Sequence, residues 1–172
     1  MAVPLLALLP AAGAAVPADA NEREASFFRQ IEGKWRGPGE IVAGKYKGTK
    51  FTCEFKGLTP DDEHGMTLDG GCRVGMFTQK MNATVARKGR SYTGSFLDGA
   101  GGEGLDVVAG SITPSRAVLT LKRNQLDGAM LARLASENQL NITVSVNVGK
   151  TLVPVIGMKL DRIDSVAVGA VK

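Results

Sequence analysis

The sequence predicts an all-β protein: a closed, up-and-down antiparallel β-barrel of about ten strands with a short N-terminal helix. Three observations predict it. Glycine is abundant, at 22 of 172 residues, and is scattered between short apolar runs, as in chains that turn and bend often. The run from Leu140 to Val148, "LNITVSVNV", alternates apolar and polar residues, which marks a strand with one buried face. Turn signals recur at short intervals, in "RKGR", "DGAGGEG", "TPSR", "SENQ" and "VGK", with the spacing of a meander. A meander has two sheet edges, and closing it into a barrel removes them.

The elements follow in chain order. Residues 1–20, "MAVPLLALLPAAGAAVPADA", carry no Lys or Arg and hold a short apolar core from Leu5 to Leu9. Ala18-Asp19-Ala20 gives the small-x-small pattern of signal-peptidase cleavage, with a second candidate cut after Ala15. The core is too short to span a membrane, and no later segment is long and apolar enough. A signal peptide over 1–20 and a single domain over 21–172 are therefore expected. Asn21 and Glu24 form a capping pattern, and "REASFFRQI" sets Phe27, Phe28 and Ile31 on one helical face. Gly33 should end that helix. Strands are expected near 34–44, 48–57, 66–74, 76–87, 90–98, 103–110, 115–122, 127–135, 139–148 and 151–163. The segment 124–135, "NQLDGAMLARLA", also suits a helix, and its periodicity leaves both readings open.

Cys53 and Cys72 are the only cysteines. In an exported chain two cysteines usually pair. "KGTKFTCEFKG" and "GMTLDGGCRVGMF" read as strands around the turn "LTPDDEHG", and the midpoint of the two cysteines falls between Asp62 and Glu63. An antiparallel hairpin folded there sets Cys53 opposite Cys72, close enough to bond at a non-hydrogen-bonded pair. Two free buried thiols are the alternative.

Gly33-x-Trp35 at the start of the first strand, after a short helix and before a meander, resembles the calycin superfamily of lipocalins, fatty-acid-binding proteins and relatives. The resemblance implies that Trp35, beside Gly33, packs across the closed end of the barrel. The longer string Gly33-x-Trp35-x-Gly37-x-Gly39 resembles nitrobindins, ten-stranded calycins that hold haem through a histidine late in the barrel. This chain departs there: its one histidine is His64, in the polar "DDEHG" turn. Tyr46, Tyr92 or a Met could ligate iron, but nothing singles one out, so no cofactor and no metal are expected. The order Gly33, Trp35, Cys53, Cys72 also resembles bacterial secreted-protease inhibitors of the Inh type, whose flexible N-terminal segment enters the protease cleft. The helical reading of this N-terminus departs from that pattern.

Little in the chain points to catalysis. One histidine and no Gly-x-Ser-x-Gly exclude the commonest nucleophilic sites. Asp61, Asp62 and Glu63 read as a solvated turn, and the glycines at 99, 101, 102 and 104 as a hairpin loop without a P-loop Lys. Removing 1–20 takes Asp19 from the 17 acids, leaving 16 against 21 Lys and Arg, a mature charge of +5. The cations are scattered rather than striped, which disfavours nucleic acid and suits weak attraction to anionic envelope surfaces. Val74, Val85, Ile142, Val144, Val146, Ile156 and Leu160 are the candidate lining of the barrel interior. The expectation is a non-catalytic periplasmic or secreted calycin-like protein that binds a small hydrophobic ligand or an envelope partner. A secreted-protease inhibitor and a structural envelope protein with a filled core are the alternatives. The ligand reading requires a continuous apolar cavity, and the inhibitor reading an exposed, extended N-terminal segment.

Overall fold

The computed structural model describes residues 18–60, 64–97 and 105–164. One helix, α1 (Ala18–Ile31), is followed by ten strands: β1 (Gly33–Ile41), β2 (Lys50–Leu58), β3 (Gly65–Val74), β4 (Phe77–Lys88), β5 (Ser91–Leu97), β6 (Leu105–Thr113), β7 (Arg116–Arg123), β8 (Leu126–Ser136), β9 (Gln139–Val148) and β10 (Thr151–Arg162). Each strand pairs antiparallel with its neighbour in sequence, and β1 pairs with β10, so the barrel is closed and has no free edge. The expected meander is the observed one. The ambiguous segment is strand β8, zipped between β7 and β9. Its Leu and Ala content suits a helix, but pairing on both sides overrides propensity. At Gly128 a side chain would stand 2.4 Å from the Ser145 carbonyl oxygen, so the bare backbone lets β8 and β9 lie close.

Strand parity builds the interior. On β1, Trp35, Gly37 and Gly39 are buried while Lys34, Arg36 and Pro38 are exposed. A Cβ at Gly39 would collide with the Phe51 ring and the Met158 side chain, so this glycine yields lumen space to both. On β9 the inward row is Leu140, Ile142 and Val144, opposite Leu134, Ala132 and Met130 of β8. The hairpin of β2 and β3 runs in register from Thr52↔Arg73 to Leu58↔Thr67, symmetric about the point between residues 62 and 63. Cys53 and Cys72 are direct partners, with Cα atoms 4.0 Å apart and sulfurs at disulfide distance. Residues 1–17, which include most of the expected signal peptide, Asp61, Asp62 and Glu63, and the glycines at 99, 101, 102 and 104 lie outside the described residues.

Helix α1 closes the end of the barrel where β1 begins, packing against β3 and β6. It starts at Ala18 rather than after an Asn21 cap. Phe27, Phe28 and Ile31 face into the barrel and are buried, as their spacing predicts. Gly33 ends the helix with φ +101°, a conformation L side chains rarely adopt.

Trp35, 1 % exposed, lies beneath that junction and donates from Nε1 to the Ile31 carbonyl at 2.9 Å. Arg162 stands over the indole at 4.3 Å and donates to the carbonyls of Gln30 and Glu32. A cation at those last helical carbonyls complements the dipole while its flat face covers the ring. The same end is tied a second time. The Tyr92 hydroxyl donates to Glu24 Oε2 at 2.6 Å, and Arg87 pairs with that carboxylate at 3.0 Å. The described helices include none long and apolar enough to cross a membrane.

Candidate functional site: an apolar cavity beneath the helix

Below α1 the interior is not filled. A cavity of about 100 Å³ lies between the helix and the barrel walls. Phe27, Phe28 and Ile31 roof it, and Trp35 and Leu160 bound it beside them. Met66, Met81, Met130 and Met158 line its walls. Ala83, Ala117 and Ala132 also line it, and their small side chains leave the room. Asn82 is the one polar residue along the lining, and it is exposed. No acid, base or nucleophile borders the space among the described residues.

The volume sets the size of what fits. It is comparable to the roughly 150 Å³ apolar cavity that takes benzene, and well below the roughly 300–1,000 Å³ of drug-sized pockets. Methionine adds adaptability, since its unbranched thioether chain repacks around irregular shapes. Cys53, fully buried, sets its sulfur 3.8 Å from the Met158 sulfur, so the cross-linked pair of β2 and β3 backs one wall.

The structure separates the residues expected to line the interior. Val85, Ile142 and Leu160 border the cavity. Val144 packs against the core but does not reach the space. Val146 and Ile156 are half-buried and stand outside it, further along the same inward rows. Val74 is 44 % exposed and lines nothing. It is the last residue of β3, paired with Phe77 at the hairpin tip, where none of the described residues covers it. Parity places these side chains on the inward face, but depth along the barrel axis decides whether they reach the cavity.

Other members of the site carried weaker signals. Phe51, Cys53 and Phe55 alternate in "FTCEF", a row that reaches the lining at Phe55. Met66 and Leu68 alternate likewise in "MTL". Met81, Ala83, Met130 and Ala132 stand at the same two-residue spacing, but methionine and alanine suit a helix as well as a strand, so the spacing did not single them out. Arg162, Glu24 and Arg87 contact the end-closing residues across more than sixty positions of chain, so no local pattern marks them.

Tyr92 is 2 % exposed. Burial pushes its hydroxyl well above the ordinary tyrosine range; the hydrogen bond to Glu24 and the Glu24 charge add to the rise, and Arg87 opposes it. His64 stands in the loop before β3, where its carbonyl accepts from the Arg87 N–H at 2.8 Å, and it takes no part in the cavity. Tyr46 is 62 % exposed in the loop after β1. Among the described residues no group of three or more His, Cys, Asp and Glu could hold a metal ion.

No known family and no curated protein matches the chain. Solved structures do. The chain is similar to Rv2717c from M. tuberculosis, with a TM-score of 0.59 and 13 % identity over 81 % of this chain and 97 % of that one. It is also similar to the S-type phycobiliprotein lyase CPES from Guillardia theta, with a TM-score of 0.54 and 11 % identity over 84 % of this chain and 98 % of the lyase. At such identities the likeness is one of fold. Together with the closed ten-stranded barrel, it is consistent with a calycin-like fold.

Proposed function

We propose that this chain is an exported, non-catalytic calycin-like binding protein that holds a small apolar molecule beneath α1. One observation carries the reading: an unfilled, methionine-lined cavity with no acid, base or nucleophile along it among the described residues. The similar phycobiliprotein lyase is an enzyme by name. Its activity is not carried over, because among the described residues the cavity offers a reacting molecule no group to exchange protons with.

The haem that the nitrobindin resemblance implies is not part of this reading. The residues present do not fit that group: His64 lies outside the cavity, and about 100 Å³ is far too small for a porphyrin. The inhibitor reading needs an extended N-terminal segment, whereas residues 18–31 form a helix tied down through Glu24, Gln30 and Glu32. A filled structural core is disfavoured by the cavity itself. Export rests on the 1–20 leader and on a cysteine pair at disulfide distance, an arrangement that persists in oxidising compartments.

Toluene is a suitable probe of the cavity. It should raise the melting temperature of the protein in a concentration-dependent way, and Ala132→Leu, which fills the space, should abolish the rise. Native mass spectrometry of protein from its own envelope should find a small retained adduct. Indifference of the unaltered protein to toluene, with no adduct, would refute the binding reading. N-terminal sequencing that fails to begin at Asn21 or Val16 would refute the processing.

A further inference from the structure

We propose that the rim of the barrel opposite α1 docks on an anionic lipid bilayer. This goes beyond the binding reading and does not depend on the cavity. The rim is formed by the described hairpin tips at 42–49, 75–76, 124–125 and 149–150. Here the inward rows run out into solvent. Met76 and Phe77 are 94 % and 81 % exposed, Tyr46 and Val148 62 % and 61 %, and Val74 and Leu152 over two-fifths. The opposite end carries only Leu58 and Ile163 as exposed large apolar residues among the described ones.

The same tips are basic. Lys45, Lys47, Lys50, Arg73, Lys80 and Lys150 are exposed around the apolar side chains. Lys45 and Lys47 flank Tyr46, and the Lys45 ammonium lies 5.5 Å from its ring. The three described acids of this rim stand beside two lysines. Glu40 is opposite Lys50 in register, Asp106 opposite Lys122, and Asp127 lies 3.4 Å from Lys122.

The chemistry selects a lipid surface over a protein. The cores of protein interfaces are depleted in lysine. Separate apolar tips, each beside a cation, instead match the boundary between acyl chains and phosphate headgroups. Methionine and phenylalanine can enter the first, lysine meets the second, and tyrosine sits well between them. A curved barrel rim can reach such a surface with several tips at once.

The test is flotation of the exported protein with two kinds of vesicle, phosphatidylcholine alone and an equal mixture with phosphatidylglycerol. Binding is expected to the mixed vesicles only, and to weaken with salt. Met76→Ser with Phe77→Ser should weaken it by about tenfold or more. Lys45→Glu with Lys47→Glu should weaken it by about fivefold for each lysine lost, or more. Leu58→Ser, at the far end, should leave it unchanged, as should the cavity-filling Ala132→Leu. All these residues except Ala132 are exposed, so the variants should melt like the unaltered protein. No binding to mixed vesicles, or binding that both rim variants retain, overturns the proposal. Capture by a protein of the envelope without vesicle binding assigns the rim to that partner and overturns it as well. Toluene uptake by the cavity is read separately, so either idea can fail alone.

Discussion

Replacing Tyr92 by Phe removes one hydroxyl from the tie between α1 and the barrel wall, and the consequence depends on pH. The hydroxyl is buried and donates to Glu24 at 2.6 Å. A hydrogen bond to a charged group contributes about 1.5–3 kcal/mol, which is the expected cost of Tyr92→Phe near neutrality. The folded protein also holds this proton more tightly than the unfolded chain, chiefly through burial and then through Glu24. A pKa raised on folding gives stability that is complete below the unfolded value, about 10, and is lost as pH climbs toward the folded value. Above about pH 10 the unaltered protein should therefore lose about 1.4 kcal/mol per pH unit relative to the variant. By pH 11.5 the gap between them should have closed by about 2 kcal/mol. Every other side chain is common to both proteins, so the difference isolates Tyr92. The assay is urea unfolding of both proteins from pH 8 to 11.5, followed by the fluorescence of Trp35. A gap that stays constant over that range would refute the argument, since Tyr92 would then release its proton as readily folded as unfolded.

The remaining predictions concern the closed end, the cross-link and the cavity. Trp35→Ala should cost about 3–5 kcal/mol, as large buried truncations do, and Trp35 fluorescence should resist quenching by iodide. Unfolded, unreduced protein should show no free thiol, and reduction should remove about 3 kcal/mol of stability on the chain-entropy model; two free thiols in protein from an oxidising compartment would exclude the pairing. In urea unfolding, Ile142→Ala should cost about 2–5 kcal/mol, whereas Val74→Ala should stay within about 0.5 kcal/mol. Ferric haem added to the protein should give no Soret shift, or a weak one that His64→Ala leaves unchanged; a sharp histidine-ligated spectrum lost in His64→Ala would refute that.

The strands were legible because each signal was local. Alternation in "LNITVSVNV" and the glycine-bearing turns set every strand within a few residues, and a meander with short hairpins leaves little choice of partner. The hairpin of β2 and β3 went further: its turn lies midway between two cysteines, so its register followed from counting. The segment 124–135 shows where locality fails. Leu, Ala and Met in "AMLARLA" fit a helix as well as a strand, and what decides is a vacant place in the sheet between β7 and β9. That place is defined by residues far away in the chain.

The candidate site was legible in direction and illegible in depth. Val74 and Val85 follow the same inward parity on adjacent strands, and nothing local distinguishes them. They differ in distance from a hairpin tip. Val74 is the residue before Gly75 at the tip, while Val85 lies near the far end of β4, beneath α1. An inward apolar side chain at the closed end meets Phe27, Phe28, Ile31 and Trp35, which complete its burial. An inward apolar side chain at the other end meets no cover among the described residues, as Phe77 and Val148 show. The alternation is thus one pattern with two physical outcomes, set by the helix that closes only one end. At that end the burial is completed within the chain and leaves a cavity of about 100 Å³. At the other, the apolar rows remain unburied beside Lys45, Lys47 and Lys150, and the hydrophobic effect there acts on whatever surface the rim meets.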